Sequence, residues 1–469
     1  MTYPLPDGRY CSVANVKRVL SELMPHLVPY WERPLKDHAA AAFDAREFHS
    51  GCSVRHHAMT LLCKCIERTA LKSGYGVEGA RSAGDQMWRS PTLQTGPHCL
   101  LLIEPDAFYT HVFSLLGLKA QQLAWYITYH ASTVSFAEKA KKGPGWVWVE
   151  GKPLNVFGLP RSRMDSFSIL GSNGPVRFAL SNSRGEPAQN SFAADLLAAL
   201  PSDEFETAAD AISQANQMLW RRNLPFSANL LQLDDFDIAD LVADHLDDAA
   251  SWFSTAFIGN AALAESILNA IDRLNAGSWL GWIRRTTDFF WGMEKGRIVP
   301  LRLQDNVLRA SNASNFEIAY RRESVAGALR QRELVPSLYT VFLVTSILPG
   351  VRVLGGCRQV IYYPLMRYLA ALGFAQSGQS GLLAELRRDA RPGLWGHRVL
   401  KPASGDPLAE IRDSGGVETL LSRYAEMPLV QAVGDLASFT MDPAWARLSE
   451  QTHGGFISAG SPEWQWSRS

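Results

Sequence analysis

Apolar positions recur with helical spacing over residues 13–45, where Pro25, Pro29 and Pro34 interrupt the run. They do so again over 56–74, where Gly74 supplies a stop signal. From Pro91 the pattern changes: a short apolar segment ends near Leu93, a helix runs to about Gly117, and Trp125–Tyr129 is aromatic and β-branched. Residues 90–136 therefore read as a β-α-β unit. Residues 143–160 alternate aromatic and branched side chains between glycines and prolines and predict a small hairpin. Helical patterns dominate from about 190 to 285; a second strand-like region spans 339–356, and a helix follows over 359–374. Beyond 380 the chain reads as helical pieces separated by "RPGLWG" and "KPASGDP", without an internal repeat.

These elements predict an α/β fold in four parts. Residues 1–180 form the first part of an α/β core with N-terminal helices and the hairpin, and 181–325 a mainly helical insertion. Residues 326–375 return to the core, and 376–469 form a helical C-terminal region.

Composition narrows the function classes. With 469 residues, 46% of them hydrophobic, the chain can bury a large core. Lysine plus arginine balances aspartate plus glutamate at 46 each, which removes the bulk electrostatic argument for nucleic acid. The longest apolar stretch, Tyr339–Leu348, is about ten residues, half of a membrane span, and the start lacks a basic-then-apolar signal pattern. We expect a cytoplasmic protein acting on a small molecule, with no nucleic-acid or membrane partner and a homodimer left open. Six cysteines in so long a chain point to reduced thiols.

Two glycine turns are the main candidates for chemistry. "TLQTGPH" places Thr95, Gly96 and His98 between a strand and a helix, where open parallel sheets bind ligands. Gly96 permits a close backbone approach, and His98 is a titratable donor. "LGGCRQVIYYP" repeats the arrangement with Gly355 and Gly356, puts Arg358 and Gln359 first toward a ligand, and Tyr362 one turn further on. In each case the alternative is a plain connection that packs strand against helix. Asp237, Asp240, Asp244 and Asp247 share a helical face, a magnesium cluster or a solvated surface. His56, His57, Cys63 and Cys65 lack standard zinc spacing. Lys139, Lys141 and Lys142, with Arg161 and Arg163, are basic loop residues that suit a phosphate or carboxylate, or simply solvent. No phosphate loop, Gly-x-Ser-x-Gly elbow, His-Glu-x-x-His or dinucleotide fingerprint occurs.

The order and flanks of both turns resemble the bacillithiol-synthesis cysteine-adding enzyme family. Thr95, Gly96 and Pro105 match that family's first turn and helix opening, with Pro97 and His98 where it has glutamines. Pro336, Pro349, Gly355, Gly356, Tyr362 and Tyr363 reproduce the second segment, with Gln359 in place of a glutamate. Ser132-Thr133-Val134-Ser135 stands where the family carries an acidic, histidine-containing run, and Pro392, Gly393 and Pro407 interrupt its C-terminal coiled coil. The resemblance spans roughly 90–136 and 330–374. It implies a Rossmann-like nucleotidyltransferase-type core and a ligase-like or transferase-like enzyme joining an amino acid or related acid to an amine, with ATP as cosubstrate if a carboxylate is activated. Thr95, Gly96 and His98 would then line one wall, and Gly355, Gly356, Arg358 and Gln359 the other, Arg358 holding an anion and His98 moving a proton. The alternatives are a non-catalytic binder of the same fold and a nucleotidyltransferase.

Overall fold

In chain order the strands are β1 (Thr92–Gln94), β2 (Trp125–Tyr129), β3 (Trp146–Val149), β4 (Lys152–Asn155), β5 (Asn229–Leu233), β6 (Phe290–Glu294), β7 (Arg297–Gln304), β8 (Val307–Ala310), β9 (Glu317–Ala319), β10 (Leu334–Pro336), β11 (Arg352–Gly355) and β12 (Gly393–Trp395). The computed structural model describes residues 8–466 except 46, 137–142, 161–162, 165–167, 172–174, 183, 189–190, 224–227, 312–314, 397–406 and 435.

Five strands pair in parallel in the order β12-β11-β1-β2-β5. Every residue of β1 and β2 is buried, as expected for a parallel sheet covered on both faces. Numbered by their appearance in this sheet alone, the strands run 3-2-1-4-5 from β5 to β12. The chain thus builds outward from β1 in one direction, then returns to build outward in the other. The reversal falls between β1 and β11, which pair through Thr92 with Arg352, Leu93 with Val353 and Gln94 with Leu354.

The covering helices include Pro105–Ala120 after β1 and Gln359–Gln376 after β11. The first packs on Leu35–Phe43, and Gly117 is what allows the approach, because a Cβ there would lie 2.2 Å from the Phe43 ring and 2.7 Å from the Ala39 carbonyl oxygen. The second packs on Ala261–Ala276 and Ser380–Arg388. A second, antiparallel sheet has the order β10-β6-β7-β8-β9, and β3 with β4 forms the expected hairpin. No helix among the described residues is long and apolar enough to cross a membrane.

Three elements depart from the reading of the sequence. Tyr339–Ile347 is helical, α over Leu338–Phe342 and π over Leu343–Ile347, and only Arg352–Gly355 is a strand. This helix is buried on every side, so its apolar run carries no 3.6-residue signature, and β-branched residues make it resemble a strand. Within 181–325, β5 belongs to the parallel sheet and β6 to β9 build the second sheet. Within 376–469, β12 adds the parallel sheet's other edge, and the longest described helix there, Pro443–His453, has 11 residues, too short for a coiled coil.

Candidate functional site at the strand-order reversal

In open α/β sheets ligands bind outside the carboxyl ends of the strands where the strand order reverses. Both glycine turns lie at that place, on adjacent strands. Thr95 leaves β1 with its backbone N–H and its hydroxyl donating to the Leu354 carbonyl, at 2.9 and 3.0 Å. Gln359, opening the helix after β11, donates from Nε2 to Thr95 Oγ1 at 2.7 Å and accepts from the Tyr362 hydroxyl at 3.2 Å. Gly355 makes this return possible, since a Cβ there would sit 2.0 Å from Gln359 Cδ. The structure therefore brings Thr95, Gly96, Gly355, Gly356, Gln359 and Tyr362 into one connected patch.

The remaining expected residues sit differently. The Gly96 amide already donates to Gln94 Oε1 at 2.9 Å, and Gln94 Nε2 donates to the Gly396 carbonyl at 2.7 Å and to Ser114 Oγ at 3.1 Å. That amide is thus occupied by the chain's own side chain. Arg358 makes a two-pronged pair with Asp442, Nε and one terminal nitrogen donating at 2.6 and 2.7 Å, while Asp442 also caps Pro443–His453 by accepting from the Ala444 N–H. The Arg358 charge is matched within the fold. His98 is exposed and is not among the described residues lining the cavity beside the turns.

That cavity has a volume of about 330 Å³. Thr133 after β2, and Arg358 and Tyr362 after β11, form the wall it shares with the sheet; the rest of the lining includes Leu268 and Ile271 of Ala261–Ala276, residues 281–287, Phe289, Trp291 of β6 and Tyr339. Local bonds hold the 281–287 segment. Asn275 Nδ2 donates to the Ile271 carbonyl at 3.1 Å and also to the Ile283 carbonyl, while Asn275 Oδ1 accepts from the Gly281 N–H at 3.3 Å. Asp288, fully buried, accepts from Arg285 Nε at 2.7 Å, from a second Arg285 nitrogen at 2.8 Å and from the Leu303 N–H at 2.9 Å. Phe289 follows at φ +60°, an unfavourable conformation for an aromatic residue. Its carbonyl is pinned by the Ser337 N–H at 2.8 Å and the Thr340 hydroxyl at 2.7 Å.

Sequence reasoning missed Trp282, Arg284, Arg285, Trp291 and Tyr339. The signal available for the first three was the arginine pair of "WIRRTTDFFW", set between aromatic residues at the end of a helical run.

The acidic run turned out to be structural. Asp235 is fully buried and accepts from the Tyr129 hydroxyl at 2.7 Å, the Ser132 N–H and hydroxyl at 2.6 Å each, and the Thr133 N–H at 3.1 Å. Burial pushes its carboxyl above the usual range against the pull of those donors. Asp234 and Asp237 cap each other's backbone at the start of Asp235–Asp247. Asp240, Asp244 and Asp247 pair with Arg332, Arg68 and Arg330 from other elements.

Cys63 and Cys65 are buried, with Sγ donating to the Gly84 and Asp237 carbonyls, and burial pushes the Cys63 thiol up to about 12. His56 packs on Phe48 and Trp88, whereas His57 faces Asp248, so these four do not share one focus. Arg163 is half-buried in a helical turn, and Lys139, Lys141, Lys142 and Arg161 lie outside the described residues.

No protein-family model matches the chain, and no curated protein matches it either.

Proposed function

We propose that this chain is a Rossmann-like small-molecule enzyme of ligase or transferase type, joining an amino acid or related acid to an amine at the strand-order reversal. The observation that carries the proposal is the placement of both glycine turns at the carboxyl ends of β1 and β11, bridged by Gln359 on Thr95. The choice of reaction rests on the resemblance of these turns to the cysteine-adding family. In this reading the Thr95–Gln359–Tyr362 chain positions the reacting groups, and the exposed His98 takes the proton from the attacking amine. If the acid is activated through a phosphate, ATP is the cosubstrate.

The test is a thermal-shift and turnover screen of the protein with ATP, ADP, AMP and the amino acids, beside Gln359→Ala and His98→Ala. A ligand at a hundred times its Kd should stabilise by about 2.7 kcal/mol. A nucleotide-dependent rise lost in Gln359→Ala, with turnover lost in His98→Ala, supports the enzyme. Absence of any nucleotide effect removes ATP from the mechanism.

A non-catalytic metabolite-binding role is the second reading. It is favoured by the occupied Gly96 amide and by the pairing of Arg358 with Asp442, since both groups expected to hold an anion already have partners. Such a protein would bind its ligand and show no turnover.

A further inference from the structure

Trp282, Phe289, Trp291, Tyr339 and Tyr362 give the 330 Å³ cavity an aromatic lining. Its volume is at the small end of ligand pockets, which run from about 300 to 1,000 Å³, so it suits one or two rings and excludes a dinucleotide as its whole occupant.

The charges on its wall are unequal in kind. Arg285 is paired with Asp288 and Asp272, and Arg358 with Asp442. Arg284, exposed on the same wall, makes no ion pair or hydrogen bond among the described residues, and no carboxylate lines the cavity there. One cation therefore stands unmatched beside an aromatic interior. Tyr339 adds its ring to that interior, while its hydroxyl is shut off from solvent and has no hydrogen-bond partner among the described residues.

We infer that this cavity binds a small aromatic monocarboxylate, with its ring among the tryptophans and Tyr339 and its carboxylate on Arg284. The inference deepens the proposed function and rests on it in one respect, by making this cavity the seat of the acid to be joined. A carboxylate fits better than a phosphate dianion, because only one positive charge is unmatched. The planar guanidinium fork also matches a carboxylate's two oxygens.

Isothermal titration calorimetry of the full chain tests it with benzoate, 3-phenylpropionate and indole-3-acetate, each beside its neutral amide and with phenyl phosphate as the dianionic comparison. The acids should bind at least tenfold more tightly than their amides. Arg284→Gln, an exposed unpaired position that should leave folding intact, should remove that preference while leaving amide affinity unchanged. Equal affinity for acids and amides, tighter binding of phenyl phosphate, an unchanged Arg284→Gln or no binding by any acid would overturn the inference. An aromatic acid that binds through Arg284 without turnover defeats the enzyme reading and leaves the cavity assignment standing. A nucleotide effect lost in Gln359→Ala, with no acid bound, does the reverse.

Discussion

Replacing Asp235 by alanine should release the loop after β2. In the native fold this one carboxylate accepts four hydrogen bonds, from the Tyr129 hydroxyl, the Ser132 N–H and hydroxyl and the Thr133 N–H. Each buried donor left without an acceptor costs about 1–3 kcal/mol, and three of the four cannot simply rotate into water because they are two backbone amides and a tyrosine on a buried strand. The buried carboxylate's own desolvation is recovered, so the donors' sum overstates the loss. About 4 kcal/mol is the expected value, within the range for breaking a buried charged network. At 1.4 kcal/mol per factor of ten, the Ser132 and Thr133 amides should exchange hydrogen roughly a thousandfold faster in Asp235→Ala. Hydrogen-exchange mass spectrometry of the 130–136 peptide reads this directly, and urea unfolding supplies the global loss. Acceleration below tenfold, with an unmoved urea midpoint, would refute the view that Asp235 holds this loop. Because Thr133 lines the aromatic cavity, the same variant should also weaken whatever binds there.

Three more outcomes follow from the geometry. Gly355→Ala drives a methyl group into the Gln359 side chain, so it should cost about 1–3 kcal/mol in urea unfolding and abolish any thermal shift that a nucleotide produces in the native protein; a variant with unchanged stability would show that the Gln359 position gives way freely. Tyr339→Phe deletes a buried hydroxyl with no partner among the described residues, so the protein should gain about 1 kcal/mol in urea unfolding, and a loss would mean the hydroxyl has a partner. Burial lowers the His38, His130 and His245 imidazoles to about 4, below the usual 6.5, so the unfolded chain binds protons first on acidification. Stability from these groups is complete above pH 6.5 and drains as the pH falls toward 4, on the order of 3 kcal/mol each. A urea midpoint flat across that window would contradict it.

The parallel core was legible where the local pattern matched its environment. Trp125–Tyr129 is aromatic and β-branched and sits buried on both faces, so residue type and structure agree. Asn229–Leu233 and Gly393–Trp395 are as firmly part of the sheet, yet five and three residues flanked by helices carry no recognisable period. The buried helix at Tyr339–Ile347 failed for the opposite reason, being apolar on all sides. Glycines after strands pointed to the two turns that carry Thr95, Gly96, Gly355 and Gln359, which the fold sets side by side, because backbone geometry leaves a local trace. Pairing does not: whether Arg358 or Arg284 is the free cation depends on Asp442, 84 residues from the first of them. That the Tyr339 hydroxyl lacks a partner among the described residues is likewise a property of packing that no neighbouring residue announces.

The pairing of β1 with β11 also sets a timetable for synthesis. Thr92 must wait for Arg352, 260 positions later, before its strand gains that neighbour. At about 5–20 residues per second, a ribosome takes roughly 13 to 52 s to supply it. Throughout that interval one side of β1 is an open strand edge, able to recruit other nascent chains. The crevice at the strand-order reversal cannot be rehearsed by an N-terminal fragment, since half of its wall does not yet exist. We expect truncations ending before Arg352 to aggregate or engage chaperones rather than accumulate as a half-built fold.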